Sequence, residues 1–109
     1  MKKELYLVLE NSDTAFATLD ELKKEGFNAT IMSTESLRHA VDYYPEEHHF
    51  FNLRHLEQKE ISQSVLCLFV VEDSHLETLK NIIRSYTNNF KDIKGFMYSR
   101  DILDYEGSI

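Results

Sequence analysis

One cysteine in 109 residues leaves Cys67 no partner for an intramolecular disulfide, so a stapled, core-poor scaffold is excluded. Cys67 lies inside an apolar run, where a thiol acts as a small hydrophobe rather than a nucleophile. One proline and three glycines leave little room for linkers or low-complexity segments. No Gly-rich dinucleotide loop stands in a strand–helix context. Cations are also scarce: 12 Lys and Arg face 19 Asp and Glu, a formal net charge of -7. Such a surface repels phosphate backbones and argues against a nucleic-acid partner. The basic pairs Lys2-Lys3 and Lys23-Lys24 read as solvated residues. No apolar run approaches the roughly 20 residues a membrane helix needs, so no membrane span is expected. Residues 1–10 do not read as a signal peptide, and a cytoplasmic location is expected.

What remains is an ordinary globular composition, 42% apolar and 28% charged, read as a single domain over residues 1–109. The chain is organised around Ser64–Glu72, an apolar run too short for a globular helix and rich in β-branched and aromatic residues: a buried strand. Ser74 with Glu77 three residues on has the form of a capping box, predicting a second helix from about His75 to Tyr86 with a stripe of Leu76, Leu79, Ile82, Ile83 and Tyr86. The N-terminal part repeats the plan. Glu4–Glu10 reads as a strand, and Ser12 or Asp13 caps a helix running to about Lys24. Its buried stripe is Ala15, Phe16, Leu19 and Leu22, and Gly26 suits the left-handed stop. Strands are also expected at about Asn28–Ser33 and Gly95–Ser99, with a tail from Arg100 to Ile109.

Between the second and third strands lies an excursion, residues 34–63, too long for a plain connection in a compact domain. Leu37, Ala40, Val41 and Tyr44 fall at helical spacing before Pro45, and Phe51 and Leu53 allow a short strand. The order is strand, helix, strand, excursion, strand, helix, strand. Split βαβ halves give the α+β ferredoxin-like βαββαβ sandwich, an antiparallel four-stranded sheet with both helices on one face. In the first strand Leu5, Leu7 and Leu9 alternate with Tyr6 and Val8, so both sheet faces are apolar. A second subunit is the expected cover for the helix-free face.

Chemistry is less legible. Four of the five histidines, His39, His48, His49 and His55, lie in the excursion, but adjacent His48 and His49 on a strand point to opposite faces and do not converge as metal ligands. No metal site and no cofactor are assigned. Tyr43, Tyr44, Phe50 and Phe51 either anchor the excursion or stack on a flat ligand. Arg38 and Arg54 either pair with Glu35 or Glu57 or hold phosphates. No Ser/His/Asp order or carboxylate pair supports catalysis, so no catalytic residue is named and the chain is not read as an enzyme.

Residues 87–96 read Thr87-Asn-Asn-Phe-Lys-Asp92-Ile-Lys94-Gly-Phe96. This resembles the T-G-x-x-G-D-G-K-I-F pattern of PII signal proteins, with Thr87, Asp92, Lys94 and Phe96 in register and Asn88, Lys91 and Ile93 replacing its glycines. With the layout, it makes the chain similar to the PII-like (GlnB-like) superfamily: PII signal proteins, their cyclic di-AMP receptor relatives and CutA-type proteins. The resemblance implies a homotrimer whose sheets face one another, with a T-loop at 34–63 and a B-loop after the second helix. It also implies a small anionic ligand or nucleotide bound at the subunit clefts, by Thr87, Lys91, Asp92, Lys94, Arg38 and Tyr43. Binding would reach a partner protein, of unknown identity, through an order–disorder change in 34–63. Two other readings stand beside this one. One is a dimeric ferredoxin-like enzyme of the small monooxygenase type, with His39 and Tyr43 in its cleft. The other is a CutA-like trimer binding divalent metal through its His-rich segment.

Overall fold

A computed structural model describes residues 1–37, 40–41 and 63–109. Its elements are β1 (Lys2–Glu10), α1 (Asp13–Lys24), β2 (Thr30–Thr34), β3 (Ser64–Glu72), α2 (Asp73–Thr87) and β4 (Gly95–Asp101). The sheet order is β2-β3-β1-β4, and every neighbouring pair is antiparallel. This is the α+β ferredoxin-like arrangement expected from the element order.

Alternation along the central strands builds the core. Leu5, Leu7 and Leu9 stand opposite Phe69, Cys67 and Val65, all on the helix-facing side. Ala15 and Leu22 from α1 and Leu76, Leu79 and Ile83 from α2 close over them. Each fully buried leucine contributes about 1.5–3 kcal/mol relative to exposure.

Local signals explain the element ends. Ser12 caps α1, its Oγ accepting the Ala15 N–H at 3.2 Å. At the other end Gly26 adopts φ +91°, and the N–H groups of Phe27 and Gly26 donate to the carbonyls of Leu22 and Lys23, a Schellman stop. α2 departs from expectation. It begins at Asp73, and its N-cap Glu72 makes no side-chain cap bond, so Ser74 lies inside the first turn and the capping box does not form the start. The strand enters the helix without a spare residue, and the Asp73 N–H donates to the Met1 carbonyl at 3.0 Å.

Two stripe residues also differ. Phe16 is 67% exposed, because Ala15, Thr18 and Leu22 take the core-facing side of α1 and Phe16 sits one residue round the helix. Tyr86 is 41% exposed, and Thr87 is the buried residue of that turn. β2 is displaced to Thr30–Thr34, and β4 continues two residues past Ser99 by pairing with β1 as far as Lys3. Leu37, Ala40 and Val41 are helical, with the Ala40 N–H donating to the Ser36 carbonyl. The remainder of the excursion, with Arg38, His39, Tyr43, Tyr44, His48, His49, Phe50, Phe51, Arg54 and His55, lies outside the described residues.

The helix-free face is apolar as expected. Tyr6 and Val8 pair with Tyr98 and Phe96 on one side and with Leu68 and Leu66 on the other. The Tyr6 and Tyr98 rings stack at 5.0 Å, and Phe96 and Tyr98 remain 53% and 49% exposed. At one end of this face the Arg100 Nε donates to the Glu4 Oε1 at 2.6 Å, and its guanidinium lies 5.9 Å from the Tyr6 ring centre. Among the described residues no helix is long and apolar enough to cross a membrane.

Candidate functional site

The loop after α2 is built on left-handed backbone. Asn88, Asn89 and Phe90 have φ of 52°, 56° and 61°. Asparagine tolerates this region, whereas phenylalanine pays about 1–2 kcal/mol for it. Thr87 holds the turn. Fully buried, its hydroxyl donates to the Ile83 carbonyl at 2.7 Å and accepts the Phe90 N–H at 3.2 Å.

The other backbone donors of the loop are also engaged. The N–H groups of Asn88 and Asn89 donate to the Arg84 carbonyl, that of Lys91 to Asn88 and that of Asp92 to Thr87. The Asn88 Nδ2 donates to the Asp92 Oδ1 at 3.4 Å. An anion arriving here meets the side chains of Lys91 and Lys94, since the N–H groups of 88–92 are committed within the loop.

The loop is fastened to the sheet at its far end. Ile93 is buried against the core, and the Lys94 carbonyl accepts the Glu10 N–H at 2.9 Å. Gly95 then lets β4 approach β1 closely: a Cβ there would stand 2.3 Å from the Val8 carbonyl oxygen.

Beside this junction the two ends of the excursion meet. The Thr34 and Ser64 hydroxyls share a hydrogen bond of 2.6 Å. The Gln63 Oε1 accepts the Ser36 N–H at 2.8 Å, and the Gln63 carbonyl accepts the Asn11 N–H at 2.9 Å. A cavity of about 270 Å³ opens there. Val8, Gly95 and Phe96 supply its apolar wall, and Glu10, Ser36, Gln63, Ser64 and Lys94 its polar groups. Two larger clefts, of about 380 Å³ between α1 and β2 and about 410 Å³ beneath the tail, lie away from this junction. The smaller cavity is the candidate because Lys94 at the end of loop 88–94, Glu10 at the end of β1 and both feet of the excursion line it.

Of the residues nominated from sequence, Thr87, Lys91, Asp92 and Lys94 share this loop, but only Lys94 lines the cavity. Thr87 is turned inward as a brace, and Lys91 and Asp92 are exposed on the outer side of the turn. Arg38 and Tyr43 lie outside the described residues. Gln63, Ser36 and Ser64 had no motif to mark them; their signal was position, at the feet of the excursion. Cys67 plays no chemical part here, since burial pushes its thiol up to about 11. Among the described residues no group of three His, Cys, Asp or Glu side chains is placed to hold a metal ion.

No protein-family model and no curated protein matches the chain. Solved structures do. The chain is similar to CPII from Thiomonas intermedia K12 bound to ADP, AMP and acetate, at 20% identity and a TM-score of 0.58, covering 93% of this chain and 85% of that one. The same neighbour bound to ADP, AMP and bicarbonate, described as a nitrogen regulatory PII-like protein, matches at 17% identity and a TM-score of 0.58, over 93% and 86% of the two chains. A functionally unknown protein from Pediococcus pentosaceus ATCC 25745 matches at 11% identity and a TM-score of 0.64, over 98% and 97%. At these identities the likeness establishes a shared fold, the one PII-like proteins have.

Proposed function

We propose that this chain is a PII-like sensor: a cytoplasmic homotrimer, without turnover of its own, that binds a small anionic ligand or nucleotide at clefts between subunits and acts on a partner protein. The observation that carries the reading is the convergence of loop 88–94 and both feet of the excursion on one cavity with Lys94 in its wall. The apolar sheet face supports the trimer, because Tyr6, Phe96 and Tyr98 sit on a surface that packing of sheet against sheet would bury. The neighbour bound to ADP, AMP and acetate or bicarbonate supports the ligand class. In this reading Lys94 supplies charge inside the cleft, Lys91 and Asp92 stand on the outer side of the turn, toward an adjoining subunit, and Thr87 holds the loop that carries them. Arg38 and Tyr43 complete the site from the excursion, which carries the signal outward.

Calorimetric titration of ADP, AMP and bicarbonate tests the reading. The native chain takes up at least one of them, and Lys94→Met weakens that uptake about tenfold to a hundredfold, the worth of one charge-assisted hydrogen bond. Absence of binding by the native chain to all three at millimolar concentration would overturn it.

A further inference from the structure

The charges of the helix-free face stand at its ends. Tyr6, Val8, Leu66, Leu68, Phe96 and Tyr98 form an uncharged band between them. At one end Arg100 stands directly opposite Glu4 in the β1–β4 ladder, each two residues from a tyrosine of the band and so on the same face. The Glu4 side chain is 15% exposed and that of Arg100 64%. One hydrogen bond joins them, from the Arg100 Nε to the Glu4 Oε1, and the Tyr6 ring keeps the guanidinium against the band. The donors on Nη1 and Nη2 are left over. Among the described residues they have no acceptor, and the Glu4 Oε2 has no donor. In the single chain water serves both groups. Packing the band against another surface removes that water, and a guanidinium or carboxylate left unpaired there strongly opposes the contact. Whatever covers the face must therefore bring an apolar surface, an acceptor for Arg100 and a donor for Glu4. A free anion would satisfy Arg100 and meet the Glu4 carboxylate. A second copy of the chain brings all three.

We infer that Arg100 and Glu4 select a second copy of this chain as the occupant of the helix-free face, the Nη donors of Arg100 forking onto the partner's Glu4. Planar guanidinium and carboxylate groups suit that bidentate contact, which a lysine could not make. In a closed ring each chain gives Arg100 to one neighbour and receives at Glu4 from the other, so neither group of the pair is left over. The band supplies the buried apolar area, and the pair fixes the register. Any slide that parts Arg100 from the partner's Glu4 leaves a charge buried and unpaired. The contact also sets opposite charges together between chains that each carry a formal charge of -7 and repel at long range. This rests on the homotrimer of the sensor reading and adds the residues that choose its partner.

The test is a double-mutant cycle on the full chain, read by analytical ultracentrifugation as the concentration at which the assembly falls to single chains. The Arg100–Glu4 bond within one chain is present on both sides of that equilibrium and cancels, so the midpoint reports the contacts between chains. Arg100→Gln and Glu4→Gln each raise the midpoint at least about tenfold, the worth of a hydrogen bond to a charged group. The double variant raises it by less than the product of the two, because each single change already breaks the same contact. All three variants keep the native far-ultraviolet spectrum. An unchanged midpoint in Arg100→Gln, or effects that multiply in the double variant, would overturn the pairing while a native particle of three chains left the sensor reading standing. A native chain that stays single at every concentration would overturn both.

Discussion

Gly95→Ala is the sharpest perturbation of the frame that carries the site. The added Cβ would meet the Val8 carbonyl oxygen at 2.3 Å and the Leu9 Cα at 3.3 Å. Both are main-chain atoms of β1, so no rotamer change relieves the contact, and the β1–β4 ladder must open by most of an ångström at Leu9↔Gly95. Overpacking of this kind costs about 2–3 kcal/mol. With a urea slope of about 1.5 kcal/mol per molar, the unfolding midpoint falls by about 1.3–2 M. A domain of this size holds roughly 5–15 kcal/mol, so the variant still folds in water and can be measured. Gly26→Ala is the control: nothing lies within 4 Å of its Cβ, and only the φ of +91° is strained, for about 1 kcal/mol. Urea unfolding followed by circular dichroism compares the two. A Gly95→Ala midpoint equal to that of the native chain, or above that of Gly26→Ala, would refute the steric reasoning.

Thr87→Val keeps the shape of a fully buried residue but leaves the Phe90 N–H without its acceptor. It should cost about 1–3 kcal/mol and speed hydrogen exchange at Phe90, whereas Thr87→Ser costs about 1 kcal/mol and keeps that amide protected. Cys67 gives a pH signature. Burial raises its thiol from 9.0 to about 11, so the unfolded chain releases this proton first and stability falls as pH rises between those values. That loss, about 2–3 kcal/mol, appears in the difference between native and Cys67→Ala urea midpoints measured from pH 8 to pH 11, and equal slopes for the two would contradict it. Tyr98→Glu places a charge on the apolar sheet face, where the side chain is half exposed in the single chain. It should leave the far-ultraviolet spectrum intact and reduce the native mass to that of one chain, as judged by light scattering.

The fold was readable wherever side-chain period and chain punctuation agreed. β3 occupies Ser64–Glu72 as its β-branched run predicts, and α1 spans the stretch from the Ser12 cap to the Gly26 stop. The misreadings have physical causes. Ser74–Glu77 has the form of a capping box, but the helix had already begun, because the Met1 carbonyl takes the Asp73 N–H. Phe16 fits the helical spacing, yet the smaller Ala15 and Thr18 fill the core-facing positions. In the site, Lys94 was visible through its place in the 87–96 stretch. The inward turn of the Thr87 hydroxyl was not, since it depends on three consecutive left-handed residues that no sequence rule expects of Phe90. Gln63 was silent for another reason. Its neighbours Asn11 and Ser36 lie on other parts of the chain, and only the sheet topology brings them together.

Native mass spectrometry of the full chain with ADP present tests the central claim most directly. Three chains in one particle are expected, carrying ADP that Lys94→Met reduces. A particle of one or two chains with no retained ADP would contradict it.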